Sequence, residues 1–87
     1  MSESREEKMI GIVAKLYYLR ALMRSFHGDR YAEEVEFFKR VIQEKAKEFG
    51  GDQMKAMAAL AIKAPSEGSF IVPMFAAAYV ELVEAKL

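Results

Sequence analysis

Residues 4–28 read SREEKMIGIVAKLYYLRALMRSFHG, and this stretch decides the fold class. Met9, Ile12, Leu16, Leu19, Met23 and Phe26 follow a 3-4-3-4-3 spacing, the period of one helix face and not of a strand. Ser4 and Glu7 have capping-box spacing, in which the Ser oxygen and the Glu carboxylate satisfy the free N–H groups of a helix start. Gly28 stands where a left-handed cap would end that helix. A second seam lies on the opposite side: Gly11, Ala14, Tyr18, Ala21 and Ser25, four of them small. Ile10, Val13, Tyr17 and Leu22 widen the bulky seam beyond a single stripe. A helix apolar on both sides is expected to be packed on both, in the centre of a bundle or between two subunits.

Working outward, turn signals fall at His27-Gly28-Asp29, Gly50-Gly51-Asp52 and Ala64-Pro65-Ser66-Glu67-Gly68. They divide the chain into four helices over about 5–27, 30–49, 53–64 and 70–86, with no strand and no repeat. The second helix takes Asp29 as N-cap and Gly50 as its stop. Tyr31, Val35, Phe38, Ile42 and Phe49 form its apolar face, and Glu36 with Arg40 an i,i+4 pair on the other. The third takes Asp52 as N-cap and Pro65 as stop. The fourth starts between Ser69 and Pro73, best with Pro73 at the first helical position, where its missing N–H does no harm. It too is apolar around most of its circumference. The expected fold is therefore all-α: one domain over 1–87, a compact four-helix bundle whose short loops favour up-and-down neighbours.

Composition narrows the function classes. Of 87 residues, 53% are hydrophobic and 30% charged, the balance of a folded globule and not of a disordered tail. Thirteen basic residues against thirteen acidic ones exclude a strongly basic chromatin-type protein. Zero net charge also favours association, with itself or with a partner. Without cysteine there is no disulfide framework, thiolate metal site or cysteine nucleophile. The absence of Asn and Thr, with only Gln43 and Gln53 as amides, matches hot-environment proteins, against which stand six Met. The start carries charges of both signs with no cleavage site, so no signal peptide is expected. The longest apolar run, 70–80, is broken by Pro73, closed by Glu81 and too short for a membrane span, and the cytoplasm is the expected location.

Two helices are more apolar than the surface helices of an 87-residue monomer need to be. Large contiguous apolar patches are rare on soluble monomers, so a homo-oligomer or a docked subunit is expected. The expected contact residues are Gly11, Ala14, Tyr18 and Ala21, with Phe70, Met74 and Phe75 near the start of the fourth helix. The leading function is a non-enzymatic interaction module, an accessory subunit or adaptor. Whether the surplus is core or interface depends on how each helix is rotated about its axis.

A second class is a nucleic-acid-binding subunit. Tyr17, Arg20, Arg24 and His27 share one stripe of the first helix, Arg30 follows after the turn, and residues 8–30 hold five basic groups and one acidic one. Guanidinium forks suit phosphates and aromatic rings stack bases. The competing reading pairs these cations with Glu33, Glu34, Glu81 or Glu84.

A third class is an all-α metal-dependent nucleotide hydrolase. Glu33-Glu34-Val35-Glu36-Phe37 and the pair Glu81 and Glu84 superficially resemble the E-E-x-x-E and E-x-x-D motifs of MazG-type pyrophosphatases. Phe37 stands where the third carboxylate belongs and cannot bind a cation. No cofactor is expected, nor a metal, since His27 has no histidine or cysteine partner. Ser25 and His27 have no strand-turn-helix setting and no orienting acid in sequence, so a serine hydrolase is not expected.

Overall fold

The computed structural model describes residues 4–64 and 70–87. Four helices carry the chain: α1 (Arg5–His27), α2 (Tyr31–Ala46), α3 (Gln53–Lys63) and α4 (Ile71–Ala85). The described residues contain no strand. The all-α, compact fold read from the sequence is the fold observed.

The local signals act largely where expected. The Glu7 N–H donates to Ser4 Oγ at 3.1 Å and opens α1. The Lys55 N–H donates to Asp52 Oδ1 at 3.1 Å and opens α3. Gly50 (φ 66°, ψ 24°) ends the second helical stretch as a left-handed cap, whereas Gly28 ends α1 with a positive φ of 56° but a ψ of −127°, outside the left-handed helical region expected of it.

Three boundary expectations change. Asp29 is no N-cap: Gly28–Arg30 form a 3₁₀ turn, Arg30 is already helical, and α2 begins without a side-chain cap. At its other end α2 tightens into a 3₁₀ turn, Lys47–Phe49, which swings Phe49 out of register and leaves it 38% exposed. Pro73 is the third residue of α4, not the first, which is still harmless because the first-turn N–H groups have no partner within the helix. Glu36 pairs with Lys39 at 2.9 Å, i,i+3, in place of the expected Arg40. The expected turn at 65–68, with Pro65 as stop, and a start at Ser69 lie outside the described residues.

The larger correction concerns the centre. It is α4, not α1, that packs against all three other helices. Met74, Phe75, Ala76, Ala77, Ala78, Val80 and Leu82 are all buried along it. Burial of Met74, Phe75 and Leu82 stabilises by about 1.5–3 kcal/mol each. Ala77 and Ala78 have no exposed surface, and their small side chains let neighbouring backbones close in. From α2, Tyr31, Val35, Ile42 and Ala46 enter the same core; from α3, Ala56 and Met57. Phe38 meets Phe75 edge-on, with ring centres 4.9 Å apart.

From α1, Met23 alone is fully buried. This helix lies along α4 and barely touches α2, the helix that follows it, so the chain is not a simple up-and-down ladder. Its 23 residues make it about 34 Å long, roughly 12 Å longer than the 15-residue α4. The surplus is at its N-terminal end, where every residue from 4 to 15 is exposed.

Candidate interaction surface

One side of α1 is fixed by α4. Leu16 packs on the core and Met23 lies within it, while Arg20 reaches two carboxylates of α4. At 100° per residue, these positions put Gly11, Ala14, Tyr18, Ala21, Leu22 and Ser25 on the opposite side, with Ile10 at its margin. All seven are exposed. Ile10 is 68% exposed, Tyr18 63% and Leu22 41%. The small-residue seam is therefore the outer face of the molecule, with two large aliphatic groups and one ring standing on it. Ile10 and Leu22 belong to this face and not to the bulky seam. Their position follows only once the helix rotation is known.

The bulky seam is split by the overhang. Leu16 and Met23 of this seam are on the core, whereas Met9 (53%) and Ile12 (48%) are exposed, as is Phe26 (64%) at the far end. Met9, Val13, Leu16 and Tyr17 line an apolar groove of about 140 Å³ against Met54 of α3 and Tyr79, Val80 and Val83 of α4. A wider depression of about 490 Å³ lies across α2 and α3, between Phe37, Val41 and Leu60 and the charged Arg40, Glu44, Lys45 and Glu48.

The remaining expected contact residues separate. Phe70 is 45% exposed and stacks on Phe26 with ring centres 4.4 Å apart. Met74 and Phe75 are 2% and 7% exposed. They are core residues and are not open to a partner in this fold. The surplus apolar character of α4 is spent inside the molecule.

The basic stripe is assembled as the spacing implies, but it faces carboxylates. Arg20 contacts Glu84 at 2.6 Å and Glu81 at 3.5 Å. Arg24 donates to the same Glu81 oxygen at 3.1 Å, and the Tyr31 hydroxyl donates to it at 3.0 Å. The Arg20 guanidinium lies 4.9 Å from the Tyr17 ring centre, and that of Arg24 5.7 Å from Tyr31. His27 Nδ1 meets Glu34 at 2.6 Å and holds the α1–α2 corner. Arg30 is exposed in that corner.

The electrostatics follow. The contact with Glu84 raises the Arg20 pKa, against the opposing effect of burial. Arg20 in turn holds the Glu84 carboxyl below its ordinary value. Burial, reinforced by the Glu81 carboxylate, pushes the Tyr31 phenol well above the usual tyrosine range.

These pairings bear on the catalytic alternatives. Glu81 and Glu84 are matched by Arg20 and Arg24, and Glu34 by His27. Among the described residues no three His, Cys, Asp or Glu side chains converge as a metal site would require. Glu34 does supply an acid beside His27, but Ser25 lies on the outer side of α1, away from it. No described helix is long and apolar enough to cross a membrane. No protein-family model matches the chain, and no match was found among curated proteins or solved structures.

Proposed function

We propose that this chain is a non-enzymatic helical interaction module, an accessory subunit or adaptor that docks through the outer face of α1. The observation that carries this reading is the exposed face of the longest helix. Ile10, Tyr18 and Leu22 stand on a floor of Gly11, Ala14 and Ala21, and all six are exposed among the described residues. Large exposed apolar patches on soluble proteins mark contact surfaces. A floor of small residues lets a second backbone approach closely. The body of the protein holds α1 from behind through Met23 and the Arg20–Glu84 contact, so the face is presented already formed. A preformed surface loses less conformational freedom on binding.

The nucleic-acid reading ranks behind it, because the guanidiniums of Arg20 and Arg24 already face Glu81 and Glu84. The test is capture on a tagged chain, with and without nuclease, beside the same chain carrying Ala14→Glu or Ala21→Glu. Both alanines are exposed, so each variant keeps its fold. The expected result is partners that survive nuclease and are lost from both variants. Partners retained by both would remove the outer face of α1 as the docking surface. Partners lost with nuclease alone would favour the arginine stripe, with the salt dependence that phosphate contacts impose.

A further inference from the structure

The occupant of the α1 face can be taken one step further, on the premise that this face docks a protein. We infer that it binds a second copy of itself, with the two α1 helices antiparallel about a twofold axis at residue 16.

Three features of the face point to this partner. First, an isologous contact demands a surface that maps onto itself under the twofold. Residue 16 is the midpoint of Arg5–His27, so the full length of both helices is used. About it Gly11 lies opposite Ala21 of the copy, and Ala14 opposite Tyr18. Each exposed ring thus meets a small side chain, and bulk fills space. Second, the charges match in this direction only. Glu6 and Arg24 are eighteen residues apart, five turns of a helix, and so stand on one side of α1 near opposite ends. Antiparallel pairing brings Glu6 beside Arg24 of the copy, twice by symmetry. Parallel pairing would leave Glu6 about five turns from Arg24 of the copy and align the helix dipoles. Arg24 is 52% exposed and its fork retains donors beyond the one given to Glu81. Third, the body of each molecule lies behind its α1, away from this face, and the chain carries no net charge to resist self-association.

The chain has no cysteine, so single introduced cysteines report the pairing without interference. A Cβ at Gly11 would meet no atom within 4 Å, and Ala21 is exposed, so neither Gly11→Cys nor Ala21→Cys disturbs the fold. In the antiparallel pair these positions face each other, whereas each lies about 15 Å along the axis from its own copy. A disulfide needs Cα atoms within about 7 Å. Mixing the two variants under mild oxidation is expected to give the mixed disulfide, with neither variant cross-linking to itself. Sedimentation of the unmodified chain is expected to give a dimer whose Kd rises about a hundredfold with Tyr18→Glu, the loss typical of a central aromatic anchor. Self-linked Gly11→Cys, or a monomer at every concentration up to the solubility limit, would overturn the inference. A monomer whose captured partners are still lost with Ala14→Glu would overturn the self-pairing alone and leave the docking face standing.

Discussion

α1 and α4 have the same character in sequence and opposite fates in the fold. Both are apolar around most of their circumference. α4 buries seven residues and touches every other helix; α1 buries one and shows a complete face to solvent. The difference lies in where the charges and the small residues stand. Residues 70–80 carry no charge, so α4 can be enclosed without desolvating one. Along α1, Lys8, Lys15, Arg20 and Arg24 recur every one to two turns, and any rotation that buried the whole helix would bury some of them. The alanines of α4 are an approach surface for its own neighbours, whereas the small residues of α1 are an approach surface left exposed by the described residues. A wide apolar circumference thus signals either a central helix or an unpartnered one, and the charge spacing decides which.

The largest expected effect tests this contrast directly. Met74→Ala on α4 is expected to cost about 2–5 kcal/mol, the range for a cavity in a packed core. Ile10→Ala on α1, at an equally apolar position, is expected to change stability by no more than about 0.5 kcal/mol. Urea unfolding at a concentration low enough to keep the chain monomeric measures both. Comparable losses would mean that α1 belongs to the core after all.

Next is the carboxylate of α4 on which the side chains of α1 and α2 converge. Glu81→Ala removes an acceptor shared by Arg24 and Tyr31 and a neighbour of Arg20, and is expected to cost about 1–2 kcal/mol. Arg30→Ala, at an exposed position of the α1–α2 corner, is the control and should be near neutral. Equal losses would show that the corner, and not the helix contact, carries the stability.

The same network sets a pH response with two limbs. The Tyr31 pKa is raised in the folded state, so its contribution is complete below the unfolded tyrosine value of about 10. It is lost as pH rises through the folded value. The Glu84 pKa is lowered, so its contribution is present above the unfolded value of about 4.3 and lost as pH falls through the folded one. The melting temperature is therefore expected to fall on both sides. Tyr31→Phe should flatten the alkaline limb in part, since burial raises Tyr79 as well. An alkaline limb unchanged by Tyr31→Phe would show that the phenol is not held as the structure places it.

Much of this fold was legible in the residues. The apolar period placed all four helices, and Ser4, Gly28, Gly50 and Asp52 bound α1, the end of the second helical stretch and the start of α3, because they act through their own few neighbours in the chain. The rotation and order of packing were not legible in the same way, because they depend on contacts between distant segments. Met74 and Phe75 were expected at a contact surface, and only the packing of α2 and α3 on α4 shows that its apolar surplus is core. Leu22 read as part of the bulky seam because a wide stripe has no sharp edge. Asp29 has the chemistry of an N-cap but sits in a 3₁₀ turn, which needs none. The pairing of Arg20 and Arg24 with Glu81 and Glu84 was among the alternatives the charges allowed, and only the α1–α4 contact selects it.

The smallest effect sharpens the contrast at the level of single caps. Ser4 and Asp52 do the same work, each accepting a first-turn N–H at 3.1 Å. Asp52 opens α3, whose first turns lead straight into buried Ala56 and Met57, so fraying there loosens the core. Asp52→Ala is expected to cost about 1 kcal/mol of global stability. Ser4 opens the overhanging end of α1, where the residues before Met9 are exposed and line no groove, so the first turn can unwind without disturbing the rest. Ser4→Ala should therefore leave the unfolding midpoint of the monomer nearly unchanged, and appear only as faster amide exchange over the first turns of α1. In a dimer built on α1 that end is covered by the copy. The exchange difference should then shrink as protein concentration rises, because fraying would have to break the pairing first.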